Sequence, residues 1–347
     1  MIAPEIDIGG RKIGPNHPPV VIAEIGINHS GNIDEAIKIV DTAIDSGAEI
    51  IKHQTHIIED EMSEEAKLEI PDHTKISIYE IIKQCALSEG DEKKLMQHVM
   101  SRGVIFISTP FSRAAADRLV KFQVPAFKIG SGECNNYPLI KHISKFDKPV
   151  ILSTGMNTIE SIRPSVDILR NKKIPFALLH CTNVYPTPPE LVRLDAMAVL
   201  RENFPDAVIG LSDHTISNHT CFGAVALGAS ILERHYTDDM NRTGPDISCS
   251  MDPVHLKDLI KGSKIIFSAK GNYKGPVSAE SSIISFAFAS VVAIKDIKPG
   301  MILDESNIWV RRPGGGDFKA ADFQYLLGKK TKRSIRKDTQ VKFADIE

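Results

Sequence analysis

Eight short apolar runs recur between residues 20 and 237, and each ends at a polar or charged residue of a type that carries out chemistry. Segments with helical spacing separate them, so strand and helix alternate along the chain. Near-continuous apolar strands are typical of a parallel sheet buried on both faces. The runs are residues 20–26, 49–55, 104–110, 126–131, 149–155, 176–183, 207–215 and 230–237.

This alternation predicts an α/β fold, an eight-stranded (β/α)8 TIM barrel. In such a barrel the carboxyl ends of all strands meet at one mouth, so polar residues that are scattered in sequence become neighbours. The gap between the second and third runs is long, and residues 56–90 are predicted to form a loop over the mouth with a short helix at 77–86. Long loops in compact domains tend to be functional.

The alternation of apolar runs and helical segments ends after residue 270, and the composition becomes polar and rich in glycine. We expect the barrel at residues 1–270, a polar, glycine-rich linker at 271–284, and a small, mostly β domain at 285–347 with strands at 286–292 and 308–310. A domain of roughly 60 residues is marginal as a free-standing core. It is therefore expected to pack against a barrel, either its own or a partner's.

Composition favours a cytoplasmic enzyme. The net charge of −2 over 347 residues gives no general polyanion-binding signature, so no nucleic-acid partner is expected. The five cysteines include no C-x-x-C pair, which argues against a disulfide framework or a structural zinc site. The chain shows neither a secretory leader nor an apolar run of the ~18 residues that a membrane helix needs.

Two histidines close the seventh and eighth runs, His214 and His235. Adjacent strand ends allow both imidazoles to reach one divalent metal that keeps open positions for water and substrate. The alternative is a pair of core histidines bonded to the backbone. Asp213 and Glu233 flank them and either orient the rings or form salt bridges, which the sequence leaves open.

Cationic and hydroxylic residues form a second group at the strand ends. Lysine, hydroxyl and amide donors around one cavity suit a phosphate or carboxylate, although singly each is often only an ion pair or a helix cap. The group consists of Lys52, Thr109, Lys128, Ser131, Ser153, Asn183 and Ser212. Glu24, Glu133 and Asp246 are candidate proton carriers or sugar-hydroxyl acceptors. His29, His53, His56 and His180 are interpreted as loop or packing residues.

Extended stretches along the whole chain match the motifs of one known family in order. The matching stretches are AEIGINHSG at 23–31, IKHQTH at 51–56, STPFSRAAA at 108–116, KIGSGECNNYPLI at 128–140, LSTGMN at 152–157, LHCTNVYPTP at 179–188, GLSDHT at 210–215, LERHYTDDMNRTGPD at 232–246 and RRPGGGDF at 311–318. Through them, the chain resembles the bacterial sialic acid synthase (N-acetylneuraminate synthase) family from end to end. The resemblance implies a TIM barrel followed by an antifreeze-like (SAF) domain in a domain-swapped homodimer. It also implies condensation of phosphoenolpyruvate with N-acetylmannosamine, with Mn²⁺ or another divalent metal as cofactor.

The resemblance also assigns roles to residues of this sequence. The metal ligands fall on His214 and His235, and the phosphoenolpyruvate contacts fall on the seven lysine, hydroxyl and amide residues above. Glu24 and Glu133 match carboxylates near the reacting carbons, and Lys52 joins them in the implied catalytic set. Sugar contacts fall on Gln54, Tyr185, Asp246, Phe288 and Arg312, of which Arg312 comes from the other protomer.

Three alternatives remain open at this point. Related synthases that make legionaminic or pseudaminic acid use diacetamido-trideoxyhexoses, and the animal type uses a 6-phosphorylated sugar; residues 52–63 most resemble the N-acetylmannosamine users. A pyruvate-dependent aldolase would instead use Lys52 or Lys128 as a Schiff base or hold an enolate on the metal. A carbohydrate- or ice-binding protein would need only the tail domain.

Overall fold

The eight apolar runs form a closed barrel of parallel strands in a computed structural model that describes residues 3–70 and 76–347. A hairpin of β1 (Ile6–Ile8) and β2 (Arg11–Ile13) precedes the barrel. The barrel strands are β3 (Val20–Gly26), β4 (Ile50–Thr55), β5 (Ile105–Pro110), β6 (Phe127–Ile129), β7 (Val150–Ser153), β8 (Phe176–Cys181), β9 (Val208–Asp213) and β10 (Ile231–His235). Because β10 pairs with both β9 and β3, the sheet closes on itself, which confirms the predicted fold class.

Helices connect the strands. They are α1 (Ile33–Asp45), α2 (Ile58–Glu61), α3 (Ile78–Cys85), α4 (Glu89–Ser101), α5 (Arg113–Lys121), α6 (Tyr137–Ile143), α7 (Ile159–Asn171), α8 (Ala196–Asn203), α9 (His219–Ala226) and α10 (Pro253–Ala269). Local sequence sets their ends: the Asn32 side chain accepts hydrogen bonds from two backbone amides of α1, and Asp252 caps α10 just before Pro253. Across the described residues, no helix has the length and apolar character needed to cross a membrane.

Side-chain alternation along the strands divides the barrel interior into an apolar floor and a polar mouth. In β3, Val20 and Ile22 point into an inner core and Glu24 continues the same face; in β10, Ile231 begins a face that Glu233 continues. The hairpin supplies Ile6, Ile8 and Ile13 to this inner core. This amino-terminal hairpin at the barrel floor was not predicted from the sequence.

Residues 271–347 form a separate compact unit. It contains α11 (Ser281–Ala287), β11 (Ser290–Ala293), β12 (Ile308–Arg311) and α12 (Phe323–Leu326), with β11 and β12 antiparallel around a small apolar core. The strand predicted from residue 286 begins only at Ser290. Glu280 accepts a hydrogen bond from the Val277 amide, and the turn so formed continues as α11 through residue 287.

Candidate functional site

The carboxyl ends of the barrel strands surround a cavity of about 140 Å³, here called the inner pocket. Most of the site residues predicted from the sequence line it. These are Lys52, Gln54, Thr109, Lys128, Ser131, Ser153, Asn183, Tyr185, Ser212, His214 and His235. The inward alternation of the strands therefore brings together side chains that lie up to 183 positions apart, from 52 to 235.

The two buried lysines of this pocket are paired with two buried carboxylates, of which Glu233 lines the pocket and Glu24 lies beside it. Lys52 forms an ion pair with Glu24, and its Nζ donates to Thr109 Oγ1 at 3.2 Å. Glu233 Oε1 lies 3.3 Å from Lys128 Nζ and 3.8 Å from Lys52 Nζ. Glu233, whose role the sequence left open, is thus the carboxylate that lies between both ammonium groups.

Burial and charge oppose each other in this cluster. Burial alone lowers the pKa of Lys52, but Glu233 and Glu24 outweigh it and leave that pKa raised. For Lys128, burial dominates over the attraction of Glu233 and the pKa is lowered. Burial works to raise the pKa of Glu233, yet the two lysines hold it below its usual range. The cluster therefore contains two ammonium groups and two carboxylates whose charges balance, and an anionic ligand can take the place of the carboxylates as partner of the lysines.

Hydroxyl groups complete one side of the inner pocket. Ser131 Oγ accepts a hydrogen bond from the Gly155 amide at 3.0 Å, and Ser212 Oγ donates to Glu233 Oε1 at 3.2 Å. A side chain at position 155 would collide with the Asn183 amide oxygen, so glycine permits the close approach of Asn183. The two hydroxyl groups and the Asn183 amide therefore line the same cavity as the two lysines.

Three buried polar atoms of the inner pocket lack a hydrogen-bond partner in the described part of the chain: Ser153 Oγ, Glu233 Oε2 and His235 Nδ1. Buried polar groups are nearly always hydrogen-bonded in folded proteins. Their convergence in one cavity indicates that a ligand or water satisfies them, which is the strongest local sign of a binding site.

The two histidines lie side by side with ring centroids 5.4 Å apart. His214 Nδ1 bonds the Thr182 carbonyl at 2.8 Å, which makes Nδ1 the protonated nitrogen and leaves the other with a free lone pair. Burial lowers the pKa of both rings to about 4, so both are neutral at pH 7. Neutral imidazole is the form that binds metals.

Asp213 does not orient these rings. Its carboxylate accepts hydrogen bonds from Thr215 and Thr220 at 2.8 and 2.7 Å, and it lies 3.8 Å from Arg234. Arg234 is fully buried and donates to Asn218 and to the Thr215 carbonyl. This network holds the loop that follows His214.

A second cavity of about 380 Å³, the outer pocket, shares Gln54, Phe111, Tyr185 and His235 with the inner one. Asp246 lines it, with Oδ2 at 3.5 Å from His235 Nδ1. Helix α3, which corresponds to the short helix predicted in the long loop, also lines the outer pocket.

His56, interpreted from the sequence as a loop or packing residue, directly follows β4 and lines the outer pocket. Its Nδ1 bonds Glu61 at 2.9 Å, and its Nε2 lies 3.2 Å from Gln54 Oε1. Gln54 in turn donates to Glu24 at 3.1 Å. The sequence does indicate that His56 faces the site, because position 56 continues the two-residue spacing of the inward-facing Lys52 and Gln54.

The structure does not bring the remaining predicted residues into the inner pocket. Glu133 sits in a 3₁₀ turn after β6 and lines a separate cavity of about 540 Å³, where it accepts a hydrogen bond from Asn136 and burial raises its pKa. Phe288 and Arg312 belong to the second unit, and both are exposed there. His180 bonds the Val192 carbonyl, and His53 stacks on His29, so these three have packing environments.

Together, these features define a class: a TIM barrel with a lysine- and histidine-lined mouth, followed by a small β domain. The family model described as "NeuB family" matches residues 39–275, and that described as "SAF domain" matches residues 288–347. The chain belongs to the NeuB family of sialic acid-type synthases.

Individual relatives match almost the whole chain. N,N'-diacetyllegionaminic acid synthase of Campylobacter jejuni is 36% identical over 93% of this chain and 98% of its own length. N-acetylneuraminate-9-phosphate synthase of Mus musculus is 32% identical over 97% and 95%. The crystal structure of N-acetylneuraminic acid synthetase from Leptospira borgpetersenii superposes with a TM-score of 0.74 at 31% identity, covering 81% of this chain and 95% of that one.

Proposed function

We propose that this protein is a transferase that condenses phosphoenolpyruvate with an acylamino hexose and water, releasing inorganic phosphate and a nine-carbon 2-keto acid. N-acetylmannosamine, giving N-acetylneuraminate, is the substrate that the sequence favours. The observation that carries the proposal is the inner pocket, where two lysines and four serine and threonine hydroxyls converge with buried polar atoms that lack a hydrogen-bond partner in the described residues. The named activities of the relatives support the same reaction type.

Phosphoenolpyruvate carries about three negative charges, and the inner pocket is built to hold such an anion. In the proposed complex, Lys52 and Lys128 bind its phosphate and carboxylate. Thr109, Ser131, Ser153, Asn183 and Ser212 supply further donors. Glu24 and Glu233 keep the lysines charged and paired until the anion arrives. Fixed donors in a water-poor cavity stabilise charge without reorganising.

The condensation proceeds by carbon–oxygen cleavage. The electron pair of the enol double bond forms the new bond from the methylene carbon to the aldehyde carbon of the opened sugar, and the π pair of the aldehyde moves to its oxygen, which takes up a proton. Water adds to the neighbouring carbon and loses one proton. The hydroxyl so formed loses its second proton as its oxygen makes the keto C=O bond, and the bond from that carbon to the bridging oxygen breaks, so the bridging oxygen leaves with phosphate. Gln54, Tyr185 and Asp246 line the adjoining pocket, where they would position the sugar.

We propose Mn²⁺ as the cofactor, held by His214 and His235. The donor set fits: both imidazoles are neutral, and the buried Nδ1 of His235 has no hydrogen-bond partner among residues 3–70 and 76–347. Within those residues, no group of three or more His, Cys, Asp and Glu side chains could hold a metal, so water and substrate would complete the coordination. When bound, the ion supplies Lewis-acid polarisation of the aldehyde oxygen.

We also propose that the second unit acts on the site of a partner subunit in a domain-swapped homodimer. The exposed Arg312 and Phe288 are then the sugar contacts that arrive from the other protomer. No lysine or arginine of the described residues lines the outer pocket. A guanidinium from the partner subunit would therefore supply the cationic donor that this pocket lacks.

The experiment uses phosphoenolpyruvate labelled with ¹⁸O at the bridging position, with N-acetylmannosamine and Mn²⁺. We expect sugar-dependent phosphate release with the label in phosphate, and one 2-keto acid per phosphate. Label retained in the keto acid, or no phosphate release with any acylamino sugar, would refute the proposal.

One observation favours a second candidate, a pyruvate-dependent aldolase. Burial lowers the pKa of Lys128, which is the condition that a Schiff-base lysine needs. Borohydride treatment in the presence of pyruvate distinguishes the two, because only the aldolase gives a covalent adduct at Lys128.

A further inference from the structure

A chain of hydrogen bonds runs from α2 to the buried carboxylate of Glu24. His56 Nδ1 lies 2.9 Å from Glu61 Oε2, and His56 Nε2 lies 3.2 Å from Gln54 Oε1. Gln54 Nε2 then donates to Glu24 Oε1 at 3.1 Å. These four side chains form a relay that connects the loop after β4 with a carboxylate that is paired with Lys52.

Packing fixes the position of the His56 ring and of its partner. The ring of Phe111 stacks on that of His56, with centroids 4.5 Å apart and planes inclined by 12°. Asp60 accepts from the Ala114 amide at 2.7 Å and so ties α2 to the start of α5. His56 is buried, and the side chain of Glu61 is only 9% exposed. Water therefore cannot easily replace either partner of the ring.

Hydrogen-bond chemistry determines which ring nitrogens carry hydrogen. An ionised carboxylate and an amide oxygen only accept, so each needs an N–H group opposite it. His56 faces the Glu61 carboxylate with one nitrogen and the Gln54 amide oxygen with the other. A neutral imidazole has a single N–H and would place a lone pair against one of these oxygens. The relay therefore requires hydrogen on both nitrogens of His56.

Turning the Gln54 amide would not satisfy the relay with a neutral ring. Such a turn would let the amide donate to His56 Nε2, but it would place the amide oxygen against Glu24 Oε1. Two acceptors would then face each other in a buried site. The orientation in which Gln54 donates to Glu24 thus depends on the charged form of His56.

The groups that face His56 favour a positive ring. Glu61 contributes a carboxylate from α2, and Phe111 presents its aromatic face from the end of β5. Asp246, which lines the same pocket after β10, adds a second carboxylate. His29, which follows β3, adds no charge near neutral pH, because burial lowers its pKa to about 3.

We propose that Glu61 and His56 are positioning residues for the condensation. Through the imidazolium ring they hold the Gln54 amide so that its N–H group stays on Glu24. One oxygen of Glu24 is paired with Lys52 and the other accepts from Gln54. When phosphoenolpyruvate takes Lys52 as its partner, the Gln54 N–H group keeps the Glu24 carboxylate in place. The inference rests on the condensation proposed above and concerns its bond-forming step.

Two substitutions interrupt the relay in different ways. His56→Phe keeps a ring against Phe111 and removes both nitrogens, and Glu61→Gln removes the charge that stabilises the imidazolium. Each should lower kcat for phosphoenolpyruvate-dependent phosphate release by about tenfold or more, because a hydrogen bond to a charged group is lost. The dissociation constant for phosphoenolpyruvate should stay unchanged. His56→Gln, whose amide can donate at the position of Nε2, should recover part of the loss.

The pH dependence distinguishes a charged relay from packing alone. Raising the pH removes a proton from the imidazolium, and Glu61→Gln lacks the carboxylate that opposes this loss. Over the range in which the wild type stays fully active, the deficit of Glu61→Gln should therefore grow as the pH rises. Glu59→Gln, the same change at an exposed position of α2, is the matched control and should behave as the wild type. A deficit of Glu61→Gln that is independent of pH would overturn the relay.

Selective ¹⁵N labelling of histidine observes the ring directly. Spectra are recorded on the full-length protein with diamagnetic Mg²⁺ in place of Mn²⁺, at the pH of maximal activity. The ring whose signals disappear in His56→Phe should carry hydrogen on both nitrogens. A neutral tautomer at this position would overturn the inference whether or not the variants fold.

Failure of the relay and failure of the synthase proposal give different results. A wild-type protein that releases no phosphate with any acylamino sugar would refute the condensation. An active wild type whose kcat is unchanged in folded His56→Phe and Glu61→Gln proteins would overturn the relay and leave the condensation intact.

Discussion

Replacing Lys128 by methionine tests the anion-binding pocket directly. Methionine keeps most of the apolar length of the lysine stem and removes the ammonium group, whose Nζ lies 3.3 Å from Glu233 Oε1. In the wild type, Lys52 and Lys128 balance Glu24 and Glu233, so the variant has one uncompensated negative charge near the anion. We therefore expect phosphoenolpyruvate to lose affinity and the sugar to lose little.

The magnitude follows from the burial of the group. Lys128 is almost completely buried, and a charge-assisted hydrogen bond in such a place is worth roughly 1.5–3 kcal/mol. That range corresponds to about 10- to 150-fold in the dissociation constant of phosphoenolpyruvate. The uncompensated Glu233 adds to the loss, so the upper part of the range is expected.

Isothermal titration with phosphoenolpyruvate and steady-state kinetics with both substrates measure this. Lys145→Met, in the separate cavity beside Glu133, is the control and should change neither constant. The double variant Lys128→Met/Glu233→Gln should recover thermal stability without recovering phosphoenolpyruvate affinity, because charge balance returns but the donor does not. An equal loss for both substrates in Lys128→Met would refute the assignment.

Four further predictions concern other parts of the molecule. His214→Ala or His235→Ala should abolish turnover and metal content with little change in melting temperature, and full metal occupancy with normal activity in either would contradict the metal site. Arg234→Met should cost about 3–5 kcal/mol in urea unfolding because it leaves a buried polar network without its cation; a loss below 1 kcal/mol would argue against that role. Burial lowers the pKa of His29 to about 3 from 6.5, so the unfolded chain binds a proton first. The free energy of unfolding should therefore fall as the pH drops, by about 1.6 kcal/mol from pH 6.5 to 5, and His29→Gln should remove that component of its pH dependence in urea unfolding; an identical pH dependence would disprove it. Mixing inactive Arg312→Ala and His235→Ala proteins should restore up to about a quarter of wild-type activity if subunits exchange randomly and Arg312 acts across a dimer; verified heterodimers without any gain would exclude this.

Much of the barrel could be predicted because its strands bury both faces and therefore have long apolar runs. The run at residues 176–183 contains β8 (Phe176–Cys181), and that at 20–26 coincides with β3. The same pattern predicted which residues meet at the barrel mouth, because polar residues stand where each apolar run ends. The proposed role of Glu133 stays a prediction: strand alternation does not fix its direction, because it lies in the 3₁₀ turn after β6, where it lines a separate cavity.

The outer pocket was harder to predict for a physical reason. Its apolar wall belongs to α3, which lies in the long connection between β4 and α4, and no strand register fixes the position of such a loop. The sequence could predict the helix from its periodicity. It could not predict that Ile78, Ile81 and Ile82 face Tyr185 and Asp246 across a cavity, because that contact depends on tertiary packing.

Because side chains alternate between the two faces of a strand, adjacent residues of β10 have different functions. Glu233 and His235 point into the inner pocket, whereas Arg234 between them points outward and is bonded to the loop after β9. The same is true in β4, where Lys52 points inward and the next residue, His53, lies 3.4 Å from Glu92 of α4 on the outside. A charged residue at a strand end is therefore informative about catalysis only once its direction is known. The buried outward residues stabilise the loops and helices that keep the inward ones in place.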